Sequence, residues 1–65
     1  MSMTYNPKRD TLYIRREGPH QVRSIEDFPE RGIVLEYDEK ESLVGISILK
    51  ASSNIDKGLL KKIKQ

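Results

Sequence analysis

Sixty-five residues without a single cysteine must hold their fold together through apolar side chains alone. A chain this short is well below the usual domain size, so it has room for one domain over residues 1–65 and none for a catalytic cleft between two lobes. Small domains commonly add a disulfide, a metal or a partner subunit. The absence of cysteine removes the first and weakens the second, and the partner subunit is left. A homo-oligomer, most simply a dimer, is therefore expected.

The same absence fits a cytoplasmic home, because nothing in the chain depends on an oxidising compartment. The opening Met1-Ser2-Met3-Thr4-Tyr5-Asn6-Pro7 has no apolar stretch of signal-peptide type. No run approaches the length of a membrane span, so no membrane partner is expected. Twelve Lys and Arg against ten Asp and Glu give a formal charge of +2, too slight to imply nucleic acid by itself. The distribution says more. Asp38, Glu39 and Glu41 crowd the segment between Tyr37 and Leu43, whereas Lys57, Lys61, Lys62 and Lys64 face no acid in the last nine residues.

Turn residues punctuate the first fifty residues at short intervals, as in an antiparallel meander. Five strands are predicted, four of them main. Thr4 to Asn6 is short and runs into Asn6-Pro7-Lys8-Arg9-Asp10, where Pro presets φ and Asn and Asp bond nearby backbone. Thr11 to Arg15 alternates at period two, with Leu12 and Ile14 on one face and Tyr13 and Arg15 on the other. Gln21 to Glu26 is an edge candidate, since Val22 and Ile25 have opposite parity and need a bulge to share a face. Phe28 to Gly32 reads as a turn leading into Ile33 to Tyr37, a central strand. Asp38 to Glu41 is a charged hairpin loop. Leu43 to Leu49 follows, with Val44, Ile46 and Ile48 on one face and Leu43, Gly45, Ser47 and Leu49 on a mixed opposite face. The sheet is expected over about residues 3–50.

The C-terminal segment carries three candidate caps, Ser52, Ser53 and Asn54, with Asp56 in the first turn and lysines at the end, the right polarity for a helix over about 54–64. Ile55, Leu59, Leu60 and Ile63 make its apolar stripe, and Gly58 costs about 1 kcal/mol relative to alanine. The fold class is thus α+β, mostly β, with one C-terminal basic helix packed on one face. The order of the strands is left open.

Two pieces of this sequence resemble a family of small bacterial proteins, the domain of unknown function family twenty-two eighty-three. Tyr5 to Ile14 reads YNPKRDTLYI, close to the family's YxPxxDxLYI opening. Gly32 to Ser52 is similar to its glycine, apolar strand, acidic turn and GIxIL run ending in Ala-Ser. The resemblance picks out Tyr5, Pro7, Asp10, Leu12, Tyr13, Ile14, Gly32, Tyr37, Asp38, Gly45, Ile46, Ile48, Leu49, Ala51 and Ser52. It implies an aspartate where this chain has Glu36, a glutamate at Ser47, and Asp or Asn at Lys50, so this chain departs from the pattern there. It also implies neighbourhoods of toxin and antitoxin type, hence a small protein that binds a partner protein. The basic tail lies beyond it.

For acid and base work the candidates are Asp10, Glu36 and Asp38, with His20 and the tyrosines as proton donors. Each has a simpler role: Asp10 closes a turn, Asp38 opens one, and Glu36 alternates outward from a strand. No nucleophile, base and orienter stand at a recognisable spacing, and no catalytic residue and no enzyme is expected. One histidine and no cysteine leave only carboxylates for a metal, and Asp38 to Glu41 lacks the spaced ligands of a calcium loop, so no metal is expected. Nucleotide and hydrolase signatures are absent, and no cofactor is expected. Gly32 suits a turn, while Gly45 inside a strand suggests a bulge or a close approach.

Two functions of different class follow. The first is a non-enzymatic interaction module that self-associates through the mixed face carrying Leu43, Gly45 and Leu49. The second is an antitoxin-like or nucleic-acid-binding accessory protein in which Lys57, Lys61, Lys62 and Lys64, joined by Arg9, Arg15, Arg16 and Arg23, track phosphates and Tyr13 stacks on a base.

Overall fold

Alternation and turn chemistry produce five strands in the computed structural model, which describes residues 1–63. Strand β1 is Ser2–Asn6, β2 Thr11–Arg15, β3 Ser24–Phe28, β4 Ile33–Tyr37 and β5 Leu43–Ile48. The strands form one sheet in the order β1-β2-β5-β4-β3, and each neighbouring pair is antiparallel. The fold is α+β and mostly β, with short helices after the sheet.

The order is not that of a simple meander. The β1–β2 hairpin and the β3–β4–β5 group join along β2 and β5, so consecutive strands are neighbours everywhere except between β2 and β3. The connection between those two crosses the ends of β5 and β4. It is pinned there by the Arg16 amide on the Val44 carbonyl (2.9 Å) and the Arg23 amide on the Tyr37 carbonyl (2.7 Å). The edge strand expected at Gln21 to Glu26 forms later, at Ser24–Phe28, because the crossing uses up residues 16–23. Phe28 is consequently the last residue of a strand, and its carbonyl still opens the following turn by accepting the Arg31 amide at 2.9 Å.

Pairing assembles residues from all five strands into rows. Tyr5, Leu12, Ile48, Ile33 and Phe28 make one apolar row from edge to edge. Met3, Ile14, Ile46 and Leu35 make a second on the same face, closed at β3 by Glu26. The opposite face is mostly polar: Thr4, Tyr13, Ser47, Val34 and Asp27 in one row, and Ser2, Arg15, Gly45, Glu36 and Ile25 in the next.

A bulge corrects the parity expected for β5. Gly45 pairs with Glu36 but Leu43 pairs with Tyr37, so Val44 is an extra residue in the register. Slipping one residue exchanges faces. Leu43 therefore shares the face of Tyr37 and Leu35, and not that of Gly45.

The single C-terminal helix expected at about 54–64 is two. Helix α1, Ala51–Asn54, ends where Ile55 turns extended (φ −116°, ψ 137°), and α2 runs Lys57–Ile63. The cap of α2 is Asp56, whose carboxylate accepts the Leu59 amide at 3.1 Å and whose carbonyl accepts that of Leu60 at 2.8 Å. Asn54 is drawn away from a capping role by its own side chain, which donates to the Leu49 carbonyl at 2.7 Å. Four apolar residues are buried: Leu12, Ala51 and Leu60 cluster together, with Tyr5, Ile48, Ile55 and Ile63 half-buried around them, and Val44 is buried apart from that cluster. Leu59, expected in the stripe, is 53% exposed. The helices cover only the end of the sheet face that carries Tyr5, Leu12 and Ile48.

Candidate functional site

Asp10 gathers much of the recognisable sequence pattern at one point. The turn from Asn6 holds its backbone at φ 50°, with the Asn6 carboxamide accepting the amides of Lys8 (3.0 Å) and Arg9 (3.3 Å). From there one carboxylate oxygen accepts the Tyr5 hydroxyl at 2.7 Å and the Ser52 amide at 3.0 Å; the other accepts the Ser52 hydroxyl. Its carbonyl accepts the Ala51 amide at 2.8 Å. Two amides left without partners at the start of α1 are thus satisfied from the far end of the chain. The Tyr5 hydroxyl is pushed above its ordinary value, chiefly by its bond to the Asp10 carboxylate. Tyr5, Asp10, Ala51 and Ser52 form a structural clasp.

On the polar face, Arg15 and Glu36 flank Gly45 in one row and meet across it, Nε to Oε1 at 3.6 Å. Only a residue without Cβ permits this, because a methyl group at Gly45 would collide with Glu36 Oε1. The Arg15 guanidinium also lies 4.8 Å from the centre of the Tyr13 ring, two residues earlier on the same face. Glu36 Oε1 is buried and accepts no hydrogen bond among the described residues.

The other face presents apolar surface instead. In the row Met3, Ile14, Ile46 and Leu35, Met3 is 52% exposed and the other three are half-buried. The bulge adds Leu43, 42% exposed, beside them. Tyr37 borders the patch and donates to Glu26 at 2.9 Å, which raises the tyrosine's pKa. Reading strands one at a time could not find this patch, since each contributes one or two residues and only the register unites them.

The residues singled out by sequence are dispersed. Leu43 and Gly45 lie on opposite faces, Gly45 is buried beneath Glu36, and Leu49 lies past the end of β5. Asp10 and Asp38 sit at opposite ends of the sheet with Glu36 on its face, so the three candidate carboxylates do not converge. Asp38 organises the β4–β5 turn. One of its oxygens accepts the amides of Lys40 (2.9 Å) and Ser42 (3.0 Å), and these bonds, that of Ser42 foremost, hold the carboxyl below its ordinary value. His20 lies in the β2–β3 connection with Nδ1 at 3.2 Å from the Gly18 carbonyl. Lys57, Lys61 and Lys62 are exposed on α2; Lys64 lies outside the described residues. Among the described residues no three His, Asp or Glu side chains form a group that could hold a metal ion. No helix among them is long and apolar enough to cross a membrane.

No curated protein and no solved structure matches the chain significantly. A family described as protein of unknown function (DUF2283) matches residues 2–52, from the first residue of β1 to the second of α1. That span contains the whole sheet and both sides of the Asp10 clasp, and the chain belongs to the DUF2283 family.

Proposed function

We propose that this protein is a non-enzymatic interaction module that self-associates, two copies packing through the helix-side face of the sheet. The observation that carries this reading is the apolar row Met3, Ile14, Ile46 and Leu35, with Leu43 beside it, which α1 and α2 leave open. The opposing polar face, with its Arg15–Glu36 pair, has no comparable patch.

A second copy is the occupant that fits. The patch lies on the face of a sheet, and sheets stack face to face on their own kind. A two-fold arrangement would set the same apolar row against itself. Burial there would also supply the apolar contact that a four-residue core cannot.

Light scattering coupled to size-exclusion chromatography tests this. A mass of twice the 7.5 kDa chain is expected. Met3→Glu combined with Leu43→Glu, both exposed positions, should halve that mass while leaving the circular dichroism of the sheet unchanged. A chain that stays monomeric at every accessible concentration, or a dimer indifferent to both substitutions, overturns the reading.

A further inference from the structure

The crossing of β2 to β3 beneath the β4–β5 turn creates a cleft at the end of the sheet remote from the helices. Its volume is about 750 Å³, within the range of small-molecule sites. One wall is the 16–23 connection, the other the 38–42 turn. Both are held by backbone bonds: Arg16 to Val44, Arg23 to Tyr37, and Asp38 to Ser42 at 3.0 Å. The Arg16 guanidinium is further steadied by donating to the Pro19 carbonyl at 3.1 Å.

Charge distinguishes this cleft from an accidental groove. Arg16, Arg23 and Lys40 line it, against Asp38 and Glu39. Asp38 is committed to its own turn, one oxygen taking two amides. Its charge still stands beside Arg16 and Lys40, so the lining carries two guanidinium forks and one ammonium against two carboxylates, an excess of one positive charge. Forked donors suit a group with several oxygens and more than one negative charge, and a phosphoryl group meets both conditions better than a lone carboxylate. We propose that the cleft binds a small phosphorylated molecule, its phosphoryl oxygens held by Arg16, Arg23 and Lys40. This site is separate from the apolar face and does not depend on self-association.

The experiment is a titration of the full-length, ¹⁵N-labelled protein with inorganic pyrophosphate, followed by amide chemical shifts, with potassium chloride keeping ionic strength constant. Saturable shifts confined to residues 16–23 and 38–42 are expected. Arg16→Gln with Arg23→Gln should weaken binding at least about tenfold, the remaining spectrum staying folded. If that pair disturbs the fold, Lys40→Gln in the exposed turn serves the same purpose and should weaken binding by a smaller factor. Shifts that never saturate, that centre on Lys57, Lys61 and Lys62, or that survive these substitutions overturn the proposal. So does a short single-stranded oligonucleotide binding the cleft more tightly than pyrophosphate, which would assign the phosphoryl group to nucleic acid.

Discussion

Removing the Asp10 carboxylate would leave the Ser52 amide and two hydroxyls without their acceptor while sparing the Ala51 bond to the Asp10 carbonyl. Asp10→Ala should cost about 2 kcal/mol in urea unfolding, and Tyr5→Phe clearly less. A change at Asp10 no larger than that at Tyr5 would deny the clasp its role. Gly45 offers a sharper test. Gly45→Ala puts a methyl group where the Glu36 carboxylate tip lies, so that tip must swing off Arg15, and should cost about 1 kcal/mol or less, whereas in a Glu36→Ala background the same change should cost nothing or stabilise the strand. Equal costs in both backgrounds would show that the backbone, not Glu36, demands the glycine. Titration adds a third check. The folded-state pKa values of Tyr5 and Tyr37 lie above the ordinary 10.0, so their bonds to Asp10 and Glu26 contribute fully below that value and are lost as pH rises through the raised ones. Asp38 lies below its ordinary 3.8, so its contribution is present above that value and disappears as pH falls through the lowered one. Replacing both tyrosines by Phe should flatten the alkaline limb of stability, and Asp38→Asn the acid limb, in urea unfolding across pH.

Among the elements, the break between α1 and α2 shows how side chains that favour caps divide a segment that periodicity alone makes continuous. Ser52, Ser53 and Asn54 are candidate caps of one helix by sequence; in the fold they are most of a short one, and Asp56 begins the next. The residue before α1, Lys50, sits in the left-handed region at φ 50°, ψ 48°. A lysine is costly there, and the position is one where the family resemblance implies Asp or Asn, residues that tolerate this conformation. Lys50→Gly should therefore stabilise the protein by about 0.5–1 kcal/mol in thermal or urea unfolding, and destabilisation would refute the account. Leu60 is the only contribution of α2 to the fully buried core. Leu60→Ala should cost about 2–3 kcal/mol; a negligible loss would mean that α2 does not hold the sheet's end closed.

For the molecule as a whole, much was legible in the residues taken in order. Alternation at Thr11 to Arg15, Ile33 to Tyr37 and Leu43 to Ile48 marked strands, because burying one face of an extended chain imposes a period of two. The Asn6 and Asp38 turns were legible because those side chains close turns with backbone amides nearby. The glycine at 45 announced a close approach, though not by what. The sequence by itself thus determined the class of fold, its turns and the small size of its core. Tertiary structure alone decided the pairing of β2 with β5, the crossing that makes the cleft, the face on which Leu43 lies and the meeting of Asp10 with Ser52. Each of these depends on contacts between residues distant along the chain, set by register and loop closure, and local periodicity carries no information about which distant strand becomes a neighbour.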